Sequence, residues 1–178
     1  MEKAPKYYPS AYVYESKLER WHEQASVRAY PHRLLSEDEE SGIYYFAPEL
    51  VPISQHIKVV ALGPEAAQEI QVQHLYTYLE FTTIFEQKMV NAIANHVSLK
   101  NLGVFLPGEM LVDAYKVYCD EAYHSLFSYD LMVQVQAATH IAPNPVDNAP
   151  LVPAIEKIIS AIPPEHQQLA RVFAVIVY

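Results

Sequence analysis

The sequence predicts an all-α fold organised around one long antiparallel helix pair, and three features predict it. Of the 13 prolines, six lie within residues 1–64 and six within 141–164, leaving only Pro107 between Glu65 and His140. Proline breaks helix interiors, so the middle block is where long helices can run uninterrupted. Apolar side chains there recur at three- and four-residue steps, the period of a helix and not of a strand. Finally, 178 residues that are 51% hydrophobic and only 19% charged can bury a core and exclude a disordered chain.

The first long helix begins at Gly63-Pro64-Glu65, a breaker followed by a proline at an early helical position and a carboxylate in the first turn. It is expected to reach about Leu99, with Leu75, Leu79, Thr82, Glu86, Val90 and Ile93 on its inward stripe. Lys100 to Gly108 forms the connection, and the second helix runs from near Glu109 to about Ala138. Its inward stripe is Leu111, Ala114, Val117, Tyr118, Glu121, His124, Ser128 and Leu131, while Asp113, Lys116, Asp120 and Tyr123 form a partly wet opposite side. At 1.5 Å per residue the pair spans about 45 Å.

The flanks follow from weaker signals. Residues 11–28 are expected to be helical around Tyr14, Leu18, Trp21 and Val27, and Tyr7, Tyr8, Tyr12 and Tyr14 to pack across the helices. Arg33 to Pro52 reads as irregular, with Glu37-Asp38-Glu39-Glu40 as a solvated surface. A proline-rich loop from Ala142 to Pro153 precedes a short helix over 154–161, and another helix starts near Glu165. The chain reads as a single domain: an extension over 1–64, the helix pair over 65–140, and a loop with a third helix over 141–178. That last helix ends in Val172–Tyr178, apolar on every side, a segment expected at the centre of a bundle and suggesting a chain cut short.

Composition excludes several functions. Twelve Lys+Arg against 21 Asp+Glu leave a net charge of −9, which repels a nucleic-acid backbone and an anionic membrane surface. Seven apolar residues cannot cross a bilayer that needs about 20, and Met1–Tyr8 lacks the apolar core of a signal peptide, so a cytoplasmic location is expected. The single Cys119 excludes an intrachain disulfide and a cysteine metal site and is expected to be a small buried residue. Glycines at 42, 63, 103 and 108 match no phosphate-binding loop. His74, His96 and His140 read as surface or capping residues, and Tyr118 and Tyr123 as packed rings.

One constellation carries chemistry. Glu86 falls on the apolar stripe of the first helix, and a carboxylate aimed into a core is costly unless it is paired or binds a metal. Glu121 and His124 stand three residues apart in Asp120-Glu121-Ala122-Tyr123-His124, so both can reach one ion from one helix face. Glu80 lies on a different face, beside Tyr76, Thr83, Ile84 and Gln87, and ranks second to Glu86. A Glu plus a Glu-x-x-His is one half of the di-iron carboxylate site built inside ferritin-like bundles.

The run Asp113-Ala114-Tyr115-Lys116-Val117-Tyr118-Cys119-Asp120-Glu121-Ala122-Tyr123-His124-Ser125-Leu126 resembles the second ligand helix of the aureothin-type p-aminobenzoate N-oxygenases. The likeness includes the 35-residue spacing from Glu86 to Glu121 and the stretch from Trp21 to Ala25-Ser26-Val27-Arg28, and it is strongest over 75–130. It implies a ferritin-like bundle, present in part, and a non-heme di-iron oxygenase that uses O2 to convert an arylamine to hydroxylamine, nitroso or nitro products. By the same resemblance Glu86 is the first-helix ligand, Glu121 the carboxylate shared between irons, and His124 an imidazole ligand. Implied cofactors are two iron ions, with manganese an acceptable substitute, and implied partners are a small amine, O2 and an electron donor. The family's second ligand set, a Glu and then a His-x-x-x-Glu-x-x-His run, does not occur here; Leu169–Tyr178 resembles the lead-in to its first Glu, so the chain is expected to be truncated before it. Two other readings compete: a ferroxidase or iron-binding module whose site is shared across a homodimer, and a non-catalytic helical fragment with a polar seam.

Overall fold

The computed structural model describes residues 14–35, 44–145 and 151–177. Among these every regular element is helical, and a 35-residue helix packs against a 32-residue helix. The first consists of α4 (Pro64–Phe85), a π-helical segment (Glu86–Val90) and α5 (Asn91–Ser98); the second is α6 (Gly108–Thr139). Both begin and end within about a residue of where Pro64, Lys100 and Gly108 predict. His140 closes α6 with φ 58°, the left-handed conformation that stops a helix. No described helix is long and apolar enough to cross a membrane.

The chain divides into two compact units. The unit formed by His32–Ile84 and Ser125–Ala149 is built on Val72, Leu75, Tyr76 and Leu79 of α4 and Val135 of α6. Leu35, Tyr45, Phe46, Leu131, Met132 and Ile141 pack around them. Each fully buried aliphatic side chain contributes about 1.5–3 kcal/mol. Tyr76 satisfies its hydroxyl by donating to the Ile141 carbonyl at 2.8 Å, which draws the chain leaving α6 back onto α4. A 3₁₀ turn, Pro48–Leu50, interrupts the stretch 33–52 expected to be irregular, and a second, Pro52–Gln55, and the short α3 (Ile57–Val60) follow it.

The other unit comprises Met1–Pro31, Phe85–His124 and Pro150–Tyr178. Its N-terminal segment corrects the expected helix over 11–28: among the described residues from 14 onward, only α1 (Trp21–Gln24) and α2 (Ser26–Ala29) are helical there, separated by the extended Ala25. One local and one tertiary hydrogen bond take the Leu18 backbone groups that a longer helix would use. Ser16 Oγ accepts from the Leu18 N–H at 3.0 Å, and Lys116 Nζ donates to the Leu18 carbonyl at 2.9 Å. The same contacts cover part of the α6 face expected to be partly wet: Lys116, Asp120 and Tyr123 are half-buried there, and Asp113 is buried. Asp113 is 6% exposed, and it bonds Lys116 Nζ at 2.8 Å and the Tyr14 hydroxyl at 2.8 Å.

At the other end of this unit, α7 (Leu151–Ser160) and α8 (Pro164–Val177) are clamped by a two-pronged Arg171–Glu156 pair, with bonds of 3.1 and 2.8 Å. The helix expected over 154–161 thus starts three residues earlier, with Pro153 tolerated in its first turn. α8 packs against the π segment and α5. Within its apolar stretch Phe173 is 57% exposed, while Val172, Ala174 and Val175 are half-buried. Cys119 is exposed, contrary to expectation. The acidic run 37–40 and Tyr7, Tyr8 and Tyr12 fall outside the described residues.

Candidate metal centre

Glu86 opens the π segment, where the Asn91 N–H closes a wide turn on the Glu86 carbonyl. Such a turn inserts one residue into the helix and re-aims the side chains on either side of it, and π turns recur at functional sites. Regular α-helical spacing hides this device; the one hint in the sequence is a polar Asn91 at a core position, and it is 3% exposed. Opposite stand Glu121 and His124, one turn apart on α6.

The three predicted residues converge. One ligand atom from each of Glu86, Glu121 and His124 lies within 4.8 Å of the others, a group that can hold a metal ion. His124 Nδ1 is 2.8 Å from Glu121 Oε2 and 4.0 Å from Glu86 Oε1. Donors around a single ion at bonds of about 2.1 Å are no more than about 4.2 Å apart, so both separations suit one ion. Glu80, the second-ranked carboxylate, is not in the group.

The electrostatics fit a cation. The Glu86 and Glu121 side chains are 18% and 19% exposed. Burial, then a hydrogen bond and like charge from Glu121, push the Glu86 carboxyl up to about 8. Two half-buried carboxylates brought together must share a proton or face a positive charge. With His124 as nitrogen donor, the set is two hard oxygens and one imidazole, suited to iron or manganese. His124 is 53% exposed, so the donor set opens outward on that side.

Residues outside the predicted set position it. Trp21 Nε1 donates to Asp120 Oδ2 at 2.7 Å, tying the N-terminal segment to the residue before Glu121. Asp113 and Lys116 anchor the same helix two turns earlier. Sequence reasoning placed these on a wet face, and the lone tryptophan was the available signal that something covers it. No family model, curated protein or solved structure matches this chain.

Proposed function

We propose that this chain carries one ligand set of a non-heme di-iron centre and belongs to an enzyme that uses O2 to oxygenate an amine nitrogen. The observation that supports this is the convergence of Glu86, Glu121 and His124 from two long packed helices. Glu121 has the central position, within bonding reach of His124 on its own helix and hydrogen-bonded to Glu86 across the pair, as a carboxylate shared between two ions requires. Iron held there supplies O2 activation at open coordination positions, which hard carboxylates suit. The protein residues hold the donors in register: the π turn presents Glu86, and the Trp21–Asp120 bond steadies the turn that carries Glu121. Manganese competes for the same donors. An aromatic amine is the substrate class that the resemblance of 113–126 favours, with an external electron donor.

The exposed edge of His124 supports a second reading, a ferroxidase site completed by a second copy of the chain. Metal content distinguishes them. The chain and its Glu121→Ala variant are loaded anaerobically with Fe(II) and analysed by plasma emission. About one iron per monomeric chain, lost in the variant, supports the single ligand set; about one per chain in a dimer supports the shared site. No stoichiometric iron in either protein overturns both.

A further inference from the structure

The outer face of α6 is chemically inverted. Between Val112 and Val133 the helix carries five charged residues, Asp113, Lys116, Asp120, Glu121 and Asp130, and each is buried or half-buried. Their side chains meet, in that order, the Tyr14 hydroxyl, the Leu18 carbonyl, the Trp21 indole, Glu86 and His32. Apart from His124, every exposed residue in the same span is Val, Tyr, Cys or Leu. Val112, Tyr115, Leu126, Tyr129 and Val133 are between 53% and 64% exposed, and Cys119 is exposed with them. A chain of net charge −9 thus presents a helix face without a single Asp, Glu, Lys or Arg.

The spacing of these residues is regular. Together with the half-buried Ala122 they alternate strictly in steps of three and four along the chain. That is the heptad seam of a helix that packs lengthwise on another helix. All seven lie on one continuous helix, so the seam runs for about 32 Å. A contiguous apolar strip of this extent on a protein surface marks an interaction site. With about 100° between successive residues, Glu121 and His124 lie on a different side of α6 from the seam.

The residue sizes identify the occupant. Laid antiparallel on a second copy of itself, the seam sets Ala122 against Leu126, Cys119 against Tyr129 and Tyr115 against Val133. The smallest side chains then face large ones, and the two-fold arrangement closes on itself. A parallel arrangement stacks Tyr115, Leu126 and Tyr129 on their own copies and leaves the layers at Cys119 and Ala122 underfilled. Because the seam is uncharged, two acidic chains meet along it without like-charge repulsion. The area open on both copies is on the order of 1,000 Å², the threshold of a specific interface, with the tyrosine rings as its largest contributors.

We propose that the outer face of α6 is a self-association surface on which a second copy of this chain docks its own α6 antiparallel, forming a two-fold dimer. The contact lies apart from Glu86, Glu121 and His124 and needs no metal.

The test is sedimentation equilibrium of the metal-free chain from about 5 to about 200 µM, the range in which an interface of this size dissociates. The chain is expected to form dimers. Leu126→Asp, at an exposed position that does not threaten the core, is expected to weaken self-association at least tenfold while the chain remains folded by circular dichroism. Ile57→Asp, which charges an exposed residue off the seam, and Glu121→Ala are expected to leave the dimer intact. Cys119 reports the register. Antiparallel pairing holds the two copies of Cys119 about 15 Å apart along the helices, beyond the roughly 7 Å that a disulfide allows between Cα atoms. Oxidation should therefore not link the native chains, whereas Cys119→Ser combined with Ala122→Cys and Leu126→Cys should give a covalent dimer. A monomer at every concentration, which leaves the seam to a different chain, overturns the proposal. So does an undiminished dimer in folded Leu126→Asp, equal weakening by Ile57→Asp, a monomeric Glu121→Ala chain, or ready cross-linking through Cys119. Because no metal is present, these results do not depend on whether the chain takes up iron.

Discussion

The Trp21 indole donates to the Asp120 carboxylate at 2.7 Å, and Asp120 directly precedes Glu121. A segment 99 residues away in sequence therefore sets the rotation of the helix turn that carries the candidate bridging ligand. Trp21→Phe keeps an aromatic ring and deletes the donor. The expected outcome is a loss of about 1 kcal/mol, the usual net worth of one hydrogen bond. Cobalt(II) affinity should fall several-fold in parallel, read from visible absorbance. Unchanged cobalt affinity in a destabilised variant would show the contact to be structural only.

Asp113 and Lys116 form a pair whose side chains are 8% and 11% exposed. Burial pushes the Asp113 carboxyl up, but bonds from Lys116, Ser16 and Tyr14 together with the lysine charge outweigh it and hold the carboxyl below its ordinary 3.8. An acid depressed in the folded state contributes stability above its unfolded value and loses it as pH falls through the folded one. Thermal stability should therefore drop as pH goes below about 4. Lys116→Met strands a buried carboxylate and should cost about 3–5 kcal/mol at neutral pH, and Asp113→Leu in the same chain should recover most of it. Thermal melts from pH 3 to 7 on the three proteins check both points.

The π turn makes a prediction of its own. Deleting Lys88, an exposed residue within Glu86–Val90, removes the inserted residue and lets the helix continue as a regular α-helix. Helical content by circular dichroism should hold or rise, while cobalt affinity falls at least tenfold because Glu86 turns away from Glu121 and His124. Retained affinity would mean that the turn does not present the ligand.

Glu86→Gln separates ligand geometry from stability. In the metal-free chain Glu86 stays protonated up to about 8 while an unfolded glutamate ionises near 4.5. The folded state thus binds more protons between these values, so wild-type stability declines as pH rises from 4.5 toward 8. The glutamine variant lacks that proton and should show a flat profile over the same range, equal or greater stability at pH 8, and loss of metal binding. Parallel pH-dependent melts of the two metal-free proteins decide it.

Much of this was legible in the sequence, for physical reasons. Prolines confine long uninterrupted helices to the block between Pro64 and Pro143 through sterics that need no tertiary context, so the boundaries of the pair could be read directly. Glu121 and His124 share one helix, and a spacing of three residues on an α-helix alone makes them neighbours. Glu86 was reachable because a carboxylate in an apolar period stands out.

Other features belong to the tertiary structure. Whether Asp113, Lys116 and Asp120 face water depends on what packs over them, and Tyr14, Leu18 and Trp21 come from nearly a hundred residues away. The same competition bears on the expected helix over 11–28, because Lys116 of α6 and the neighbouring Ser16 take the Leu18 backbone carbonyl and N–H. The π segment is a further case: one inserted residue is a balance of packing on both sides of Glu86, invisible to a periodic count. The sequence by itself determined the long helix pair and the ligand types, because these follow from local sterics and the 3.6-residue period. The tertiary structure decided which polar face is covered and how Glu86 is aimed, because each depends on groups brought together only by long-range packing.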